Sequence, residues 1–65
     1  MSPSASRLLN SVYEAVRDLE EMYGPTDQGV VDAKQVLGEC LTTVRLIETP
    51  DEARLFNSAH QLANR

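Results

Sequence analysis

YGPTDQGVV, residues 23–31, is the stretch on which the fold turns. From Gly24 to Gly29 it reads G-x-x-x-x-G, the front half of a phosphate-gripping loop. Such a loop needs a strand before it and Lys-Ser or Lys-Thr after the second glycine, because a cation must neutralise the terminal phosphates. Val30 and Val31 stand in those places, and the residues before Gly24 carry helical periodicity. The stretch therefore reads as a turn between two helices. Gly24 takes a left-handed conformation cheaply, Pro25 cannot extend a helix, and Thr26 or Asp27 caps the helix that follows.

Towards the N-terminus, Leu8, Val12, Ala15, Leu19 and Met22 recur at spacings of four and three, with Leu9, Val16 and Tyr13 on the flanks. This predicts a helix over about 4–23 with an apolar arc of roughly 140°, capped by Ser2 or Ser4. Arg17 is placed to pair with Glu21 or Glu20 on the same helix.

Towards the C-terminus, Val30, Ala33, Leu37, Cys40, Val44 and Ile47 predict a second helix over about 27–47, widened by Val36 and Leu41. Gly38 falls mid-helix at the rim of that face, where close approach of another backbone is one reason for it. The stretch TPDEA, residues 49–53, is the sharpest local signal. Thr49 is the cap, Pro50 the first helical residue, and Glu52 completes a capping box. The third helix runs over about 50–63 and buries Leu55, Ala59 and Leu62, with Phe56 and Ala63 beside them.

A short connection makes the first two helices antiparallel neighbours. The expected fold is all-α: a single domain, 1–65, in which a helical hairpin and a shorter third helix form a small bundle. Sixty-five residues bury only about 60% of the surface that the unfolded chain exposes, so completion by a homodimer is expected. Cys40 is the only cysteine, so no internal disulfide can compensate. Cys40 and His60 cannot supply the soft ligands of a structural zinc.

A net charge of −4, with ten acidic and six basic residues, disfavours a phosphate backbone and a basic membrane-surface helix. No apolar run approaches the length that spans a bilayer. A lone thiol and the lack of a secretory signal suggest a reducing, cytoplasmic setting. No nucleophile is paired with a base, and no carboxylate or histidine set has ligand spacing. The chain thus reads as a non-enzyme without catalytic residues, metal, cofactor or small-molecule substrate.

What remains is a protein–protein interaction module, a regulator, adaptor or inhibitor acting through a helical surface as a homodimer or on another protein. Two surfaces offer themselves. Asp18, Glu20, Glu21 and Asp27 form an acidic tip around the turn, where the dipole of the first helix disfavours the negative charge of Glu20 and Glu21. Tyr13, Val31, Leu46 and Phe56 are candidate interface apolars, Leu46 because it points away from the core stripe of its helix. The alternative is a small dimeric DNA-binding regulator that reads bases with Arg54, Asn57, Gln61, Asn64 and Arg65 of the third helix.

Overall fold

The computed structural model describes residues 1–44 and 47–65. They form three α-helices: α1, Pro3–Tyr23; α2, Gln28–Thr42; and α3, Pro50–Ala63. There is no strand among the described residues, and the all-α expectation holds. Leu46, one of the candidate interface residues, lies outside the described residues.

Each helix starts on a side-chain cap. Ser2 accepts from the Ala5 N–H, Asp27 from the Val30 N–H, and Thr49 from the Glu52 N–H, at 3.2, 3.2 and 3.1 Å. Pro3 and Pro50 occupy first-turn positions where a missing N–H costs nothing. The capping box of α3 is displaced by one residue: Glu52 Oε1 accepts from the Glu48 N–H at 2.9 Å, not from Thr49. The same oxygen lies 3.2 Å from the amino group of Met1, which ties the start of α1 to the start of α3.

Gly24 closes α1 by donating its N–H to the Glu20 carbonyl at 2.8 Å. Its φ of 89° and ψ of 160° place it in a mirror-extended region, not the left-handed helical conformation expected. Only glycine enters that region without strain, so the turn requires this residue more strictly than a left-handed cap would.

α2 ends at Thr42, short of the expected Ile47. The hydroxyls of Thr42 and Thr43 each donate to a carbonyl three residues back, Glu39 and Cys40, at 2.7 Å. The N–H groups of Thr43 and Val44 do likewise, so the last turn tightens and stops. The run Thr42-Thr43-Val44 is β-branched throughout, which weakens helical continuation.

The core is built from Leu9 and Val16 of α1, Leu37 and Leu41 of α2, and Ala59 and Leu62 of α3. Here α1 is rotated from expectation. The flank residues Leu9 and Val16 are buried, whereas Leu8 and Met22 of the expected core stripe are 64% and 69% exposed. The reason is α3, which packs on the Tyr13 and Glu20 side of α1 and turns that side inward. On α2, Val30, Leu37 and Leu41 are buried as expected, and Val36 is 53% exposed. Gly38 meets no heavy atom within 4 Å of where a Cβ would stand, so no backbone presses on it.

Candidate protein-interaction surface

The charged residues of the expected acidic tip divide between structural and free roles. Glu20 is half-buried, with Oε2 against Lys34 Nζ of α2 and Oε1 3.4 Å from Arg65 Nη2 beyond α3. Contact with Lys34 holds the Glu20 carboxyl below the usual glutamate range; desolvation opposes this, and the charges of Arg65 and Lys34 reinforce it. Asp27 is used as the cap of α2. Asp18 and Glu21 are exposed. Contrary to the expected pairing with Glu21 or Glu20, Arg17 lies 4.0 Å from Asp18 and 5.6 Å from the centre of the Tyr13 ring.

Of the expected interface apolars, Tyr13, Val31 and Phe56 are described, and each is half-buried at a different place. Tyr13 is half-buried and borders a hollow with Ser58, Gln61 and Arg65 of the α3 end. Phe56 is half-buried in the groove between α2 and α3, stacked on the exposed His60 ring with centroids 5.9 Å apart. Both pack against the intramolecular core. Val31 is half-buried near the start of α2. On α3, Arg54 is paired with Asp51 and Arg65 with Glu20, so the basic ends of the supposed base-reading surface are held by carboxylates.

A different surface carries three of the exposed large apolar side chains, Leu8, Met22 and Val36; Tyr23 and Ile47 are exposed outside it. Along α1, Leu8, Ala15 and Met22 are exposed, and Val12 and Leu19 between them are half-buried. Their spacing of four and three is that of a coiled-coil seam. Along α2, Val36 is exposed beside half-buried Ala33 and Cys40, again at three and four. At about 100° per residue, Leu8, Ala15 and Met22 lie over 90° around α1 from Tyr13 and Glu20, where α3 packs. Periodicity alone marks this stripe as apolar and does not distinguish it from the core, because the side on which α3 packs has no local signature.

Rim residues of this surface are charged and exposed. Asp18 and Glu14 follow Met22 outward around α1, with Glu21 beyond them, and Asp32 and Glu39 lie outside Val36 on α2. Gln28 donates to Asp32 at 2.9 Å. Arg7 is the cation on this rim among the described residues.

Among the described residues, no three His, Cys, Asp or Glu side chains group as a metal ion would require. No helix among the described residues is long and apolar enough to cross a membrane. No family model, curated protein or solved structure matches this chain.

Proposed function

We propose that this chain is a small non-enzymatic interaction module that binds protein through the face of α1 and α2 turned away from α3. The observation that carries this reading is the exposure of Leu8, Met22 and Val36, at 64%, 69% and 53%, within seam-spaced rows. An isolated exposed leucine is ordinary, whereas exposed apolar side chains at helical spacing on two packed helices are what an apolar interaction face would show.

The turn at Gly24–Asp27 supports reading α1 and α2 as an antiparallel hairpin. In that arrangement α3 fills one side of the hairpin, against Tyr13 and Glu20 on α1 and Lys34, Gly38 and Leu41 on α2. The rows through Leu8, Ala15 and Met22 and through Ala33, Val36 and Cys40 then fall together on the other side. A homodimer would use this face by seating two such hairpins seam to seam, as in a four-helix bundle. A regulator, adaptor or inhibitor would use it to seat a helix of another protein.

The test compares the wild-type chain with Leu8→Ser/Met22→Ser/Val36→Ser. Sedimentation velocity reads self-association, and affinity capture from native lysate reads partners and their stoichiometry. The wild type should self-associate or retain one protein in equal amount, and the variant should do neither while keeping its helical signal. Equal behaviour of the two chains would sink the reading.

A further inference from the structure

We infer that the occupant of this face is a cationic amphipathic helix from a protein partner, an inference that rests on the interaction reading above. The charge around the seam is what selects it. Glu14, Asp18, Glu21, Asp32 and Glu39 are exposed along its two edges, against Arg7 alone among the described residues. Lys34 and Arg65 are engaged with Glu20 and Arg54 with Asp51, away from this edge, and Arg17 lies over Tyr13 and 4.0 Å from Asp18, which it offsets in part.

A second copy brings the same acidic rim to the contact. With a net charge of −4 per chain, a symmetric dimer sets like charges along both edges within about one Debye length, ~8 Å at physiological salt. Like-charge juxtaposition selects against such a partner, and opposite charge speeds and favours the complementary one. The apolar groups demand a stripe in the partner, and the rim demands Lys or Arg on both sides of it. From Leu8 to Met22 the seam spans about 21 Å, the length of a four-turn helix.

Two synthetic helical peptides with the same Leu/Ala stripe, one flanked by Lys and Arg and the other by Glu, test this by titration into the isotope-labelled chain. NMR reads the site, and sedimentation of the chain alone reads self-association. The cationic peptide should shift amides around Leu8, Ala15, Met22 and Val36, and the anionic peptide should not. Its affinity should fall by about tenfold or more from low salt to several times physiological salt. The change Asp18→Lys/Glu21→Lys brings the rim close to neutral and should remove most of the difference between the two peptides.

Equal binding of both peptides at these residues would overturn the inference about charge and leave the interaction face standing. Self-association that shifts the same amides and excludes both peptides would name a second copy as the occupant, with the same consequence. Retention of the cationic peptide by the Leu8→Ser/Met22→Ser/Val36→Ser chain would reduce the effect to general attraction and overturn the inference. Neither peptide binding nor self-association would overturn both readings.

Discussion

Lys34 of α2, 6% exposed, rests its Nζ against the Glu20 carboxylate of α1, and Arg65 approaches the same carboxylate from beyond α3. One acidic side chain thus joins all three helices at the end of the bundle near the turn. Lys34 is the only lysine in the chain, and its stem fills core space between Val30 and Leu37 as its charge meets Glu20.

Removing Lys34 leaves the half-buried Glu20 carboxylate with only the exposed Arg65 as a counter-charge, which is worse than replacing both partners. Lys34→Ala should therefore lower the melting midpoint by several degrees. Lys34→Met keeps the stem volume and should lower it less, and Lys34→Met/Glu20→Leu should recover much of the loss. Thermal unfolding followed by circular dichroism distinguishes these. A double variant no better than Lys34→Ala would show that the pair is not coupled as described.

Glu20 and Glu52 both titrate below the usual glutamate range, Glu20 chiefly through Lys34 and Glu52 chiefly through the Glu48 N–H. A carboxylate whose pKa is lower in the folded chain binds fewer protons there than when unfolded. Its contribution to stability is complete above the ordinary carboxylate range and is lost as pH falls through the lower folded value. Urea unfolding between pH 7 and pH 3 should show stability decreasing on the acid side, with a shallower fall in Glu20→Gln. A Glu20→Gln chain with an unchanged slope would place the acid sensitivity elsewhere.

Much of this fold was legible because its signals are local. Caps at Ser2, Asp27 and Thr49, prolines in first turns and the glycine after Tyr23 act within a few residues of where they stand. The rotation of α1 was not legible, since Leu8 and Leu9 are adjacent in sequence and both apolar. Which of them is buried depends on where α3 docks, a contact distant in sequence. Glu20 was legible as an acid in an unfavourable last turn but not as the partner of Lys34, because the pairing runs between helices. The stop of α2 at Thr42 arises from hydroxyl-to-carbonyl bonds that compete with a helix the apolar period would have continued.

Gly24 and Gly38 should respond in opposite directions to alanine. Neither position has a heavy atom within 4 Å of a new Cβ, so backbone preference alone decides the outcome. At Gly24, φ is 89°, and alanine there costs on the order of 1–3 kcal/mol. Gly38 is within α2 at ordinary helical geometry, and alanine there gains up to about 1 kcal/mol. Denaturant midpoints of the two single variants check both signs. A destabilised Gly38→Ala would mean that the open groove between α2 and α3 closes in solution.

At the start of α3, Thr49 and Glu52 act on different donors, so their substitutions should be separable. Thr49→Ala removes the acceptor for the Glu52 N–H and should cost about 1 kcal/mol. Glu52→Gln keeps an acceptor for the Glu48 N–H but loses the negative charge near the Met1 amino group and at the positive end of the helix. The Thr49→Ala loss should therefore be nearly constant with salt, and the smaller Glu52→Gln loss should shrink as salt is raised. Amide hydrogen exchange should then show faster opening at the first turn of α3 in Thr49→Ala. Salt-independent behaviour of Glu52→Gln would reduce Glu52 to a neutral hydrogen-bond acceptor and remove charge from the account of how α1 and α3 are joined.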